Sequence, residues 1–183
     1  RNLIDARFPI QWVIRPQSTE HHDFRGYAGQ IAAGVFKKGD EVVVLPSGKR
    51  SRIASISTMD GELESAAPPL SVVIQLEDDV DVSRGDMLCR PHNQPTVAQE
   101  IEAMVCWMAD APLKPGGRYL LKHTTRTVKA IVEDLRYRID VNTLHRDDGT
   151  QLGLNEIGRV KFRTSLPLMA DEYRDSRTTG GFV

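Results

Sequence analysis

Cysteine is nearly absent from this chain: there are two, Cys89 and Cys106, in 183 residues. Neither falls into a Cys-x-x-Cys or Cys/His ligand spacing. That excludes a zinc ribbon or a disulfide framework and points to a reducing compartment. Long apolar runs are missing as well. None approaches the ~18 residues that a membrane-spanning helix needs. The opening Arg1-Asn2-Leu3-Ile4-Asp5 has no apolar centre of a signal peptide. A soluble, cytoplasmic protein with no membrane partner is expected. Charge of one sign is lacking too: 24 Lys and Arg stand against 25 Asp and Glu, a formal net charge of -1. A protein that grips a nucleic-acid backbone usually shows a basic excess or stripe, so no nucleic-acid partner is expected.

The catalytic signatures are missing in the same way. The turn Gly34-Val35-Phe36-Lys37-Lys38-Gly39-Asp40 is the nearest piece to a phosphate loop. It carries Asp where that loop has Lys, and a carboxylate there repels a phosphate. The five histidines are His21, His22, His92, His123 and His145. His21 and His22 are adjacent, and adjacent side chains on an extended chain point apart, so they make poor co-ligands. No Gly-x-Ser-x-Gly elbow occurs, and no Cys/His pair has an orienting partner. Asp78-Asp79 and Asp147-Asp148 sit in polar loops and read as solvated turns. No catalytic, cofactor-binding or metal-binding residue is assigned.

What the chain does have is punctuation. Its 14 Gly and 10 Pro recur at intervals instead of clustering, which is the habit of a turn-rich β protein. The stretch Asp23 to Ile56 shows it best. A turn cluster Asp23-Phe24-Arg25-Gly26 precedes an alternating run, followed by turns at Gly34, Lys37–Asp40 and Pro46-Ser47-Gly48, with Val42–Leu45 and Ile53–Ile56 as strands. Short β-prone runs at roughly ten-residue spacing suggest an antiparallel barrel. Upstream, Phe8, Ile10, Trp12 and Ile14 alternate onto one face, and Trp12 and Trp107 read as core or packing residues. Ser71–Leu76 reads as a strand buried on both faces. Arg84-Gly85-Asp86 reads as a turn, with Gly85 at positive φ and an Asx-type bond from Asp86.

Pro91-His92-Asn93-Gln94-Pro95 is the best boundary, with two prolines and no apolar residue. Beyond it, strands are expected at Val97–Trp107, Tyr119–Lys122, Thr127–Ile139 and Glu156–Thr164, with another starting at Pro167-Leu168-Met169. Asn142–Gly153 reads as a polar loop. No segment keeps a 3.6-residue period over three turns. Two halves of about ninety residues favour two small barrels, 1–92 and 93–183, over one large sandwich.

Several stretches then agree in order. They are Arg7-Phe8-Pro9-Ile10-Gln11-Trp12-Val13, Asp23–Gly29, Asp81-Val82-Ser83-Arg84-Gly85-Asp86, Trp107-Met108-Ala109 with Pro112-Leu113, Asp140–Leu144, Leu154–Gly158 and Thr179–Phe182. Together they resemble the second and third domains of the GTPase (large) subunit of bacterial sulfate adenylyltransferase, an elongation-factor-like protein. The glycine-rich strand, Gly-x-x-x-x-Gly-Asp turn and valine strand also resemble the second domain of translation-factor GTPases.

The resemblance implies an all-β fold of two consecutive antiparallel barrels of the elongation-factor domain 2 and domain 3 type, the second lacking its last strand. It implies a non-catalytic accessory region. In the whole family protein, GTP hydrolysis drives synthesis of adenosine 5′-phosphosulfate from ATP and sulfate. GTP and magnesium would then sit on a GTPase domain outside this chain, and ATP on the small, catalytic partner subunit. Contacts to that subunit or to the GTPase domain would fall on exposed turns: Asp23, Phe24, Arg25, Gly26, Arg84 and Asp86. The alternative is a tRNA- or protein-binding pair of barrels from another translation-factor-like GTPase.

Overall fold

The computed structural model describes residues 2–15 and 24–183. The expected loop Pro16–His22 and the turn residue Asp23 lie outside them. The chain is almost entirely β, in curled antiparallel sheets. It divides into two compact units. The first comprises Arg1–Val97, Lys122–Thr127 and Met169–Val183, and the second comprises Ala98–Leu121 and Val128–Leu168.

The first unit is built on β1 (Arg7–Pro9), β2 (Trp12–Ile14), β3 (Gly26–Gln30), β4 (Phe36–Lys37), β5 (Glu41–Leu45), β6 (Lys49–Thr58), β7 (Gly61–Leu63), β8 (Ser65–Ala66), β9 (Ser71–Leu76) and β10 (Met87–Cys89). Its main sheet runs β1-β10-β5-β6-β9-β3-β2. The first and last members are consecutive in the chain, so the sheet closes on itself. The crossing lies at Ile10 and Gln11. Ile10 N–H donates to Asp86 O at 2.8 Å, on the β10 side, while Gln11 N–H donates to Ala28 O at 2.9 Å, on the β3 side. Closure removes most of the sheet edge that would otherwise pair with other chains.

The barrel interior is apolar: Phe8, Ile10, Tyr27, Ile31, Phe36, Val42, Val44, Ile53, Ile56, Ile74 and Leu88 are all buried. Phe8 and Phe36 meet edge to face, ring centroids 6.2 Å apart. Gly34 holds φ +72°, a conformation that side chains resist, and it lies against the Ala6 backbone.

Trp12 does not follow Phe8 and Ile10 inward; it is 63% exposed. Gln11 and Trp12 both stand opposite Ala28, one through its N–H and the other in the register. That extra residue is a bulge, and it moves every later side chain to the other face. Val13, not Trp12, packs on the core. Ser71–Leu76 is also corrected: Val72 and Ile74 are buried, while Val73 and Gln75 are only half-buried.

The second unit is organised by β11 (Thr96–Cys106), β12 (Arg118–His123), β13 (Arg126–Ile139), β14 (Arg146–Asp147) and β15 (Ile157–Ala170), ordered β11-β15-β13-β12 with β14 on β13. The ends of β12, β13 and β15 are counted with the first unit. Val128, Ala130, Val132, Val160 and Phe162 are buried along one face. The opposite face carries paired charges, including Arg159 to Glu102 at 2.9 Å and Lys161 to Glu133 at 2.9 Å. Exposed pairs of this kind contribute little each. Pro167 does not begin a new strand, because β15 continues through it to Ala170. Trp107 is half-buried, packs edge to face on Tyr119, and donates from its indole to Ala111 O at 2.7 Å.

The loop Asp140–His145 is shaped by one carboxylate. Asp140 Oδ1 accepts from Asn142 N–H at 2.8 Å and Thr143 N–H at 3.0 Å. These two backbone bonds hold its pKa below the ordinary carboxylate value. The only α-helical turn among the described residues is α1 (Arg177–Gly180).

Candidate functional site

The expected contact turns have different fates. Phe24 and Gly26 are packed: Gly26 is buried, and a Cβ there would stand 2.7 Å from Val73 Cγ1 and 2.9 Å from Phe24 Cε1. Arg25 pairs with Asp79 and lies 3.5 Å from Val80 O. Tyr27 Oη donates to the same carbonyl at 3.0 Å. The segment Asp79–Val80 is therefore tied to the strand that follows the turn.

Arg84-Gly85-Asp86 forms the expected turn. Gly85 has φ +91°. Asp86 N–H donates to Ser83 O at 3.1 Å, and Ser83 N–H donates to Asp86 Oδ2 at 2.8 Å. The two named side chains then part. Asp86 turns inward and accepts from Arg126 Nη2 at 2.9 Å, while Arg126 Nε donates to Gly85 O at 3.0 Å. Burial pushes the Asp86 carboxyl upward, opposed by the Ser83 amide and by Arg126. Arg84 turns outward; its Nη1 donates to Gln11 O at 3.2 Å. Arg84 is thus available on the surface and Asp86 is not.

The strongest polar feature of the unit was not legible beforehand. Arg7 is 2% exposed and forks onto Asp171: Nη2 donates to Oδ1 at 2.8 Å and Nε to Oδ2 at 2.9 Å. Arg7 Nη1 donates to Asn93 O at 2.8 Å and Ala6 O at 2.9 Å. Thr179 Oγ1 donates to Asp171 Oδ2 at 2.6 Å, and Thr179 O lies 2.7 Å from His123 Nε2. Asn93 Nδ2 donates to Asp5 Oδ1 at 2.6 Å, and Asn2 Nδ2 contacts Asp5 Oδ2 at 2.5 Å. Those two amides lower the Asp5 pKa.

This chain of bonds joins the first strand, the Pro91–Pro95 segment, the β12–β13 turn and the closing residues Met169–Val183. Met169 also packs on Val43, Leu45, Met87 and Cys89. A charged residue heading an apolar strand was the one available signal for Arg7. Nothing local marks Asp171 as its partner.

The arrangement is a clamp that ties these segments together. Cys89 is buried and its thiol is pushed up to about 12, so it is no nucleophile. Among the described residues, no three His, Cys, Asp or Glu side chains are grouped to hold a metal. No helix among them is long and apolar enough to cross a membrane. Chemically, the first unit offers shape, exposed edges and a few outward cations.

The chain is similar along its whole length to known proteins. Residues 100–183 match the GTP-eEF1A C-terminal domain-like family. The bifunctional enzyme CysN/CysC of Mycobacterium tuberculosis is 56% identical over the whole chain, which spans 30% of that protein. Sulfate adenylyltransferase subunit 1 of Bacteroides fragilis is 44% identical, again over the whole chain, which spans 37% of it. Among solved structures, Sup35 complexed with GDP shares the fold at a TM-score of 0.85 and 18% identity, covering 97% of this chain and 43% of its own. The elongation factor SelB of Methanococcus maripaludis gives 0.70 and 19%, covering 93% and 37%.

Proposed function

The chain is homologous along its whole length to sulfate adenylyltransferase subunit 1 and CysN/CysC, and from this kinship we propose that it is the accessory β region of such a large subunit. In the whole protein, GTP hydrolysis drives the transfer of an adenylyl group from ATP to sulfate. This region is non-catalytic. GTP and magnesium are bound by a GTPase domain outside the chain, and ATP by the small subunit.

Its role is mechanical. A nucleotide switch reorders loops, and a stiff body must relay that change to the partner. The observation that carries this reading is the Arg7–Asp171 fork, shielded from solvent and linked onward to Asn93 and His123. It fixes segments from both ends of the chain to one barrel. Arg25, just before β3, and Arg84, on its exposed turn, are the candidate contacts to the GTPase domain or the small subunit.

Size-exclusion chromatography of this chain with the purified small subunit tests the reading. Co-elution places part of the subunit interface here. In the full-length protein, Arg25→Ala and Arg84→Ala should weaken subunit assembly or the stimulation by GTP. If both variants leave assembly and stimulation at wild-type levels, the contact assignment is wrong.

A further inference from the structure

The barrel closure leaves one gap. The pairing between β1 and β10 is prolonged by a last rung at Ile10, where Gly85 N–H donates to Ile10 O at 2.9 Å. Beyond that rung the two segments diverge. β2 follows β3, and Val82–Arg84 turns away. Between them opens a cleft of about 640 Å³. Among the described residues β2 pairs with β3 alone, so its other backbone edge faces this cleft without a strand partner. Unpaired edges are templates for strand addition.

The side chains around the gap select what enters. Trp12 stands at its rim, 63% exposed, displaced outward by the bulge. Among the described residues that line the cleft, Arg15 and Arg84 are the charged ones and none is a carboxylate. Arg84 is held by one bond to Gln11 O, which leaves most of its five N–H donors for another acceptor. An arginine anchored in this way presents its remaining donors to a carboxylate as a fork. The exposed indole offers an apolar face to a neighbouring side chain.

We propose that the open edge of β2 receives an extended, carboxylate-bearing segment of a protein partner as an added strand. Main-chain bonds to Val13, whose N–H and C=O point away from β3, give the register. A carboxylate of the incoming segment meets Arg84 or Arg15, and an apolar neighbour covers Trp12. The proposal rests on the function assigned above and takes the small subunit as that partner.

The test is hydrogen exchange on the full-length large subunit, alone and mixed with the small subunit. The Val13 amide, on the edge away from β3, should exchange about tenfold more slowly in the complex. Trp12→Ala and Arg84→Glu should each weaken assembly by about tenfold. Arg84→Gln keeps a donor for Gln11 O and removes the charge; it should weaken assembly with an unchanged melting temperature. A complex that forms with unaltered exchange at Val13 overturns the strand addition and leaves the parent reading standing. So does wild-type assembly by all three variants. Failure of the wild-type subunits to associate overturns the parent reading and this proposal with it.

Discussion

Asp171→Ala should be among the most damaging single substitutions in the chain. The carboxylate accepts the Arg7 fork through both oxygens, and Arg7 is 2% exposed. Truncation leaves the guanidinium buried with only the carbonyls of Ala6 and Asn93 as partners. Removing one member of a shielded pair costs about 3–5 kcal/mol, because the remaining charge stays desolvated. At this chain length that corresponds to a fall of about 6–20 °C in Tm. Urea unfolding followed by circular dichroism gives the free energy directly. Asp171→Asn, which keeps the shape and one carbonyl acceptor, should fall between wild type and Ala. Arg7→Met combined with Asp171→Leu should recover at least half of the Asp171→Ala loss, since no unpaired charge remains. A loss below about 1 kcal/mol for Asp171→Ala would be the value of an exposed pair. It would refute the claim that this fork holds the closing segment to the barrel.

Gly34→Ala should destabilise by about 2–3 kcal/mol in the same assay, because φ is +72° and the new Cβ would run into the Ala6 backbone. Thiol titration with a chromogenic disulfide should count one reactive cysteine in the native protein, exposed Cys106, and two in denaturant, because burial holds the Cys89 thiol near 12. His123 is buried, and burial lowers its pKa below 6.5. The unfolded chain therefore binds this proton more readily. Stability should be constant above pH ~6.5 and fall as pH drops below it, with a slope of at most about 1.4 kcal/mol per pH unit from this group. The difference in urea midpoint between wild type and His123→Gln across pH 5.0 to 7.5 isolates that slope; parallel curves would refute it.

Much of the fold could be read from punctuation and alternation. The strand runs at Val42–Leu45, Thr127–Ile139 and Glu156–Thr164 announce themselves through β-branched residues between turn residues. The Gly85 turn was legible because so few residues accept its backbone angle. Trp12 was misread because a single bulged residue shifts the phase of a strand and leaves no mark in composition. Pro167 was misread because proline reads as a stop, whereas here the strand runs on through it.

The clamp is harder for a physical reason. Arg7 and Asp171 are 164 positions apart, and only the tertiary fold brings them together. The turn at Arg84–Asp86 was placed correctly, whereas Gly26 opens β3 with Phe24 and Arg25 leading into it. Sequence could not tell that Asp86 faces inward to Arg126 while Arg84 faces out, since that depends on the β12–β13 hairpin arriving behind it.

The 164-residue span of the Arg7–Asp171 fork also has a temporal side. Bringing such distant residues together carries a large loop-closure entropy, so contacts of this range tend to form after local hairpins. The barrel hairpins β5–β6 and β6–β7 can assemble while the clamp is still open. During synthesis Arg7 emerges 164 residues before Asp171 and has to wait for it. Until then Arg7 must remain hydrated. Its burial is therefore a closing event, and perturbing it should quicken unfolding far more than it slows folding.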